Sequence, residues 1–212
     1  MIYVTSDLHG YPLNKFLAFL QESGFTEDDF LFVLGDVIDR HPGGIRLLRR
    51  IMAMPNAKMI LGNHEYMMLR ALGAPCDDNI DTGTALPHWY RNGGEVTHDS
   101  WNRLQDNEKA EIIQYLHSLP LSYDVQLGST HYKLVHGAPA EDFVSNEDLR
   151  YLNPTYFAVW KRWEAEAFPA HDYTVIFGHT PTAHYRDVTP MEVWSDEKRI
   201  GIDCGCAYPA PQ

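Results

Sequence analysis

Five short apolar runs constrain the fold of this 212-residue chain more than any other feature. They are Ile2-Tyr3-Val4, Phe30 to Leu34, Lys58 to Leu61, Tyr132 to Val135 and Thr174 to Phe177, each rich in β-branched or aromatic residues. Uninterrupted runs of this length read as buried strands rather than half-exposed ones. Helical patterns lie between the early ones. Leu13, Phe16, Leu17 and Leu20 recur at i, i+3, i+4 and i+7 until Gly24, and Ile45, Leu48, Ile51 and Met52 repeat the pattern before Pro55. Strand–helix–strand alternation predicts an α/β architecture with parallel pairing.

Composition narrows the field further. A chain that is 44% hydrophobic and 22% charged is ordinary globular material. Seventeen basic residues against 29 acidic ones leave a formal charge of −12. That argues against duplex nucleic acid or an anionic membrane as partner, since both need a basic footprint. Cys76, Cys204 and Cys206 are too few for a disulfide framework or a four-ligand zinc site, and are read as reduced thiols. The opening Met-Ile-Tyr-Val-Thr-Ser-Asp does not read as a signal peptide, so none is expected, and no apolar run approaches the ~18 residues of a membrane span. The expectation is a cytoplasmic protein of one domain, 1–212, with less regular insertions at about 74–119 and 138–172 over one end of the sheet.

The residues immediately after each run carry the chemistry. The first run ends in Asp7-Leu8-His9-Gly10 and the second in Gly35-Asp36-Val37-Ile38-Asp39-Arg40. The third ends in Gly62-Asn63-His64-Glu65, the fourth in His136-Gly137 and the fifth in Gly178-His179-Thr180-Pro181. One such residue after a strand is most often a turn residue. Five strands delivering Asp, Asn or His beside glycine to one edge form a site, because ligands of α/β sheets bind at strand carboxyl ends. Carboxylate, imidazole and amide oxygen without thiolate suit divalent Mn²⁺, Fe²⁺ or Zn²⁺. Six candidate ligands exceed one four-coordinate ion and suit two metals sharing a carboxylate.

Asp7-x-His9, Gly35-Asp36-x-x-Asp39-Arg40, Gly62-Asn63-His64-Glu65, His136 and Gly178-His179 together resemble the calcineurin-like metallophosphoesterase superfamily. The wording is most similar to its phosphoprotein phosphatase branch, in the compact bacterial and bacteriophage form, and the match runs to about Tyr208. The resemblance implies a β-sandwich of two mixed sheets flanked by helices, with the metals at strand C-terminal ends. It implies one metal on Asp7, His9 and Asp36, and a second on Asp36, Asn63, His136 and His179, with Mn²⁺ the first choice and Fe²⁺ or Zn²⁺ as alternatives. A hydroxide between the metals would attack phosphorus in line. His64 would then protonate the leaving group, with Asp39 orienting it.

The same resemblance makes Arg40 and Arg162 the phosphate clamps. The bland alternatives are a helix-opening surface residue for His64 and a solvated helix-face arginine for Arg162. Two departures stand out. His41-Pro42 replaces the usual glycine after Asp39-Arg40, so that loop is expected to run differently. The chain also stops soon after Ile202-Asp203-Cys204-Gly205, where the family commonly continues with a strand.

The implied function is a serine/threonine protein phosphatase acting on a phosphorylated protein or small phosphoester. A diadenosine polyphosphate or other nucleotide hydrolase of the same superfamily is the alternative. A non-catalytic scaffold is disfavoured, because Asp39, His64 and all six ligands are present. Nothing in the sequence specifies the oligomeric state.

Overall fold

The computed structural model describes residues 1–74, 82–145, 150–151, 153–165, 171–186 and 192–207; Cys76 and the terminus from Tyr208 lie outside them. Each of the five apolar runs forms or contributes to a strand. β1 (Ile2–Thr5), β2 (Phe30–Val33) and β3 (Ala57–Met59) form a three-stranded sheet in the order β1-β2-β3. Both pairings are parallel, so among the described residues this sheet is parallel rather than mixed as the resemblance implied. The second sheet is mixed, with the order β4-β5-β6-β8-β7. It comprises β4 (Ser122–Leu127), β5 (Thr130–Val135), β6 (Thr174–Phe177), β7 (Trp194–Ser195) and β8 (Arg199–Gly201). β5, β6 and β8 run parallel, while β4 and β7 run antiparallel to their neighbours.

Strand β2 and its continuation explain why an uninterrupted apolar run was needed. Leu31 and Val33 join a core with Phe16 and Leu20 of α1 (Leu13–Glu22), Leu48 and Ile51 of α2 (Gly44–Met52), and Met67 of α3 (Asn63–Ala71). Phe32 and Leu34 point the other way, into a second core with Ile60 and Leu134 that fills the space between the sheets. Alternate side chains of one strand thus bury on opposite faces. Each such aliphatic or aromatic side chain contributes ~1.5–3 kcal/mol. Beyond the second sheet, Val135, Val175 and Phe177 pack on Phe157 and Trp163.

The 74–119 segment is more regular than its sequence implied. It holds α4 (Thr82–Arg91), α5 (Glu95–Trp101) and α6 (Asp106–Ser118). Pro87 sits inside α4, where it cannot donate to a carbonyl one turn back, so the helical signal is broken in the sequence. A seventh helix, α7 (Pro154–Trp160), opens on Asn153, whose side chain accepts the Tyr156 amide hydrogen.

Candidate metal centre

In both sheets the parallel register aligns the strand ends. Thr5 pairs with Val33, Val33 with Met59, and Val135 with Phe177. The residues just beyond must therefore meet along one rim. Asp7, His9, Asp36, Asn63, His64, His136 and His179 do so, and all are buried. The turns that present them are strained. Asp7, His9, Asp36, Asp39, Arg40 and His179 are the only described non-glycine residues with positive φ, from 42° to 71°. Left-handed backbone costs such residues free energy, and clusters where a site demands it.

Asp36 lies at the centre. Ligand atoms of His9, Asp36 and His64 lie within 4.8 Å of one another, as do those of Asp36, His136 and His179. His9 Nε2 is 3.8 Å from Asp36 Oδ2 and 4.0 Å from Asp7 Oδ1. His136 Nε2 is 2.9 Å from Asn63 Oδ1 and 3.5 Å from Asp36 Oδ1. Asp7 leans towards the second group, since its Oδ2 accepts the His179 amide hydrogen at 2.9 Å and the Ser6 hydroxyl. Glycine makes these approaches possible. A Cβ on Gly178 would lie 1.9 Å from Ser6 Oγ and 2.4 Å from Asp7 Oδ2.

The donor set fits divalent cations. His9 Nδ1 donates to the Ile38 carbonyl at 3.1 Å, and His136 Nδ1 to the Leu34 carbonyl at 2.6 Å. Each bond fixes the tautomer that turns a bare Nε2 into the cluster. His179 Nε2 is buried with no protein partner. Burial holds the His179 imidazole well below its ordinary pKa, and lowers that of His9 to about 2. Burial likewise pushes the Asp7 and Asp36 carboxyls well above the usual range, and mutual repulsion with Asp203 and Glu65 adds to it. Neutral imidazoles and crowded carboxylates are relieved together by one agent, a cation among them.

His64 is built differently. Its Nδ1 lies 2.6 Å from Asp39 Oδ2, which also accepts the Trp89 indole hydrogen at 2.8 Å. Burial raises the Asp39 carboxyl to about 7, against the lowering hydrogen bonds from Thr97 and Trp89. Burial and the nearby Arg40 hold the His64 imidazole low. Arg40 Nη2 is 3.3 Å from His64 Nε2. Despite Pro42, the loop that carries Arg40 reaches the cleft, because Arg40 N–H donates to Gly93 O at 3.0 Å. The Asn92-Gly93-Gly94 turn thus backs this arginine, with Gly93 at φ 91°.

Arg162 also lines the cleft. The segment just beyond it is pinned by Arg199, fully buried, which donates to the Glu164 and Ala165 carbonyls at 2.9 and 2.8 Å. Trp163 adds a bond from its indole to the Gly137 carbonyl.

Several contributors were not evident as site residues from the sequence. Glu65 is fully buried and accepts the Asp36 and Val37 amide hydrogens at 2.8 and 2.9 Å, which fixes the turn that presents Asp36. Trp89 and Thr97 secure Asp39, the latter by accepting its amide hydrogen at 2.9 Å. Asp203 lines the cleft two residues after β8, following the same strand-end rule as the others. Its signal was hidden because Arg199-Ile200-Gly201 does not look like a strand. Trp160 forms part of the wall and stacks on His88 and Tyr156 at 5.7 and 5.8 Å, which places His88 beside the site.

The cleft has room for about 50 Å³ of water-sized bodies. Pockets that enclose a drug-sized ligand run to roughly 300–1,000 Å³. It admits a small group, while the rest of a substrate stays outside.

Comparison with known proteins agrees on a family. The profile described as calcineurin-like phosphoesterase matches residues 1–202. Serine/threonine-protein phosphatase 2 of Escherichia coli K12 is 30% identical over 153 residues, covering 70% of this chain and 63% of that protein. The symmetrical bis(5'-nucleosyl)-tetraphosphatase of Aromatoleum aromaticum is 26% identical over 194 residues, covering 90% of this chain and 62% of its own. The chain therefore spans about three fifths of the length of these relatives. Among solved structures, a protein serine/threonine phosphatase from Saccharomyces cerevisiae superposes with a TM-score of 0.58 at 15% identity, over 95% of this chain and 66% of that one. A putative diadenosine tetraphosphatase gives 0.60 at 16% identity, over 97% and 83%. At such identities the likeness is one of fold.

Proposed function

This chain belongs to the calcineurin-like phosphoesterase family, and on that premise we propose that it is a cytoplasmic, metal-dependent phosphomonoesterase acting on phosphoserine and phosphothreonine in proteins. The observation that carries the reading is the His64–Asp39 contact of 2.6 Å beside Arg40, since a departing serine or threonine alkoxide needs a proton. Asp7, His9 and Asp36 would hold one divalent cation, and Asp36, Asn63, His136 and His179 the other. Manganese is our first choice, and iron or zinc suits the same donors. Such a pair supplies Lewis acidity and a lowered water pKa. His64 also falls within the first ligand group by distance. Its Nδ1 is committed to Asp39 and its Nε2 to Arg40, which supports the acid role over a ligand role.

The side chains then divide the work. Arg40 and Arg162, exposed at the mouth, grip phosphoryl oxygens with forked hydrogen bonds. In the resting site Arg40 can only donate, so His64 Nε2 accepts and the imidazole is neutral. A phosphate that takes the Arg40 fork frees Nε2 to carry a proton, and Asp39 stabilises the resulting imidazolium. Water adds to phosphorus and the P–O bond to the alcohol breaks; the Nε2 proton goes to the departing oxygen, one water proton stays on the product phosphate and the other is released to restore Nε2.

A second reading, hydrolysis of a dinucleoside polyphosphate, is favoured by the ring cluster of Trp160, His88 and Tyr156 at the cleft wall, since a base needs a flat surface. Trp160 is already engaged by both rings and by the edge of His179, which weighs against it as an open platform. A screen with added Mn²⁺ tests the choice between a phosphothreonine peptide, an aryl phosphate and a diadenosine polyphosphate. The phosphatase reading expects peptide and aryl phosphate turnover that falls in both Arg40→Ala and Arg162→Ala. Cleavage of the dinucleotide orders of magnitude faster than the peptide would overturn it and leave the metal assignment standing.

A further inference from the structure

We propose that a groove along α2 binds acidic residues that flank the phosphorylated residue of a protein substrate; this rests on the phosphatase reading and names the substrates it favours. The groove, of about 450 Å³, is lined by Arg46, Arg49 and Arg50 together with the apolar Pro42, Ile45 and Leu104. It begins at Pro42, two residues after the Arg40 that lines the catalytic cleft. Three arginines within five residues are conspicuous in a chain of net charge −12. An acidic segment repelled elsewhere on such a surface finds complementary charge here.

The stability of α2 does not account for these arginines. The helix turns Ile45, Leu47, Leu48 and Ile51 inward, and leaves Arg46, Arg49 and Arg50 exposed. Arg49 is engaged by Glu108 at 2.7 Å. Among the described residues Arg46 and Arg50 have no ion-pair partner. Arg50 is at the C-terminal end, where a cation suits the helix dipole, but Arg46 is in the first turn, where a cation opposes it and no acid offsets it. A residue unfavourable to its own helix, unpaired and beside the cleft, is placed for something outside the chain.

Geometry sets the reach. The link from Arg40 to Gly44 bends, with Arg40 at φ 66°, so it spans less than the ~14 Å that four fully extended residues would reach. Helical rise adds about 3 Å to Arg46 and about 9 Å to Arg50. An extended peptide at ~3.4 Å per residue therefore brings Asp or Glu to these arginines within about five to seven residues of the phosphothreonine.

The test uses two phosphothreonine peptides of equal length. One carries Asp and Glu within five residues on both sides of the phosphothreonine, and the other carries Ala there. Each is assayed with the Mn²⁺-loaded protein, its R46E/R50E variant and the milder R46A/R50A variant. The wild type should favour the acidic peptide in kcat/KM by roughly tenfold, mainly through KM, and less at high salt. R46A/R50A should lose the preference and R46E/R50E should reverse it, with aryl phosphate turnover unchanged. The ratio between peptides cancels any loss of folded enzyme, so a folding defect cannot imitate the result. Equal cleavage of both peptides by the wild type, or a preference that survives in the variants, overturns the groove alone. Failure to cleave either peptide, with aryl phosphate or dinucleotide turned over, overturns the phosphatase reading and the groove with it.

Discussion

Glu65 offers the most direct test of how the centre is held, because its work is done on backbone rather than substrate. Its two carboxylate oxygens each receive an amide hydrogen, from Asp36 and Val37, in a fully buried setting. Glu65→Gln keeps the shape but turns one acceptor into an NH₂ donor, so one amide hydrogen meets another donor. A buried donor left without an acceptor costs about 1–3 kcal/mol. Glu65→Ala orphans both, for about 2–6 kcal/mol, a large share of a typical stability of about 5–15 kcal/mol. For a domain of this size each kcal/mol moves the melting temperature by roughly 2–4 °C. Glu65→Gln should therefore melt about 2–12 °C lower, and Glu65→Ala lower still. The measurement is thermal unfolding by circular dichroism, with bound metal counted by mass spectrometry. Since the bonds fix the turn that presents Asp36, metal content should fall as well. If Glu65→Gln melts within about 1 °C of the wild type and retains its metal, the idea that this carboxylate organises the turn is refuted.

Three further outcomes are expected. His64→Asn should slow alkyl phosphate hydrolysis by roughly 10²–10⁴-fold at unchanged metal content, with aryl phosphates less affected; equal losses on both would remove His64 from the acid role. Asp36→Asn should lose bound metal itself, because the carboxylate common to both ligand groups becomes a neutral amide; full metal occupancy by mass spectrometry would contradict this. Gly178→Ala should melt lower and bind metal weakly, since the new Cβ would lie 1.9 Å from Ser6 Oγ; a wild-type melting curve would show that the β1 turn moves aside freely.

The strands and the meeting of their terminal residues were legible because both follow from short-range rules. A run such as Phe30 to Leu34 is apolar at every position because both faces of β2 are covered. β4 was missed for the converse reason. Ser122-Tyr123-Asp124-Val125-Gln126-Leu127 alternates, as a half-exposed strand does, and the Gly128-Ser129 turn folds it back antiparallel onto β5. Trp89 and Thr97 could not be read as supports of Asp39, since each is more than 45 residues away and nothing local marks the contact. Glu65 was visible as part of Gly62-Asn63-His64-Glu65, but its neighbours in sequence do not disclose that it faces the turn at Asp36–Val37. Long-range pairing of this kind is set by how α3 lies across the first sheet, a tertiary outcome.

The rim where the candidate ligands meet is also a seam. Asp7, Asp36 and Asn63 leave the three-stranded sheet, whereas His136 and His179 leave the five-stranded one. Between the sheets lies the apolar layer of Phe32, Leu34, Ile60 and Leu134 with its partly buried neighbours, which is non-directional, and two hydrogen bonds already cross at the rim, from His136 Nδ1 to the Leu34 carbonyl and from the His179 amide to Asp7 Oδ2. A cation shared by Asp36 and His136 would act as a rivet through that seam, adding to those two bonds in fixing the lateral offset that greasy contact alone leaves loose. It would also close a chain loop of about a hundred residues, and so draw distant parts of the polypeptide into one cooperative unit.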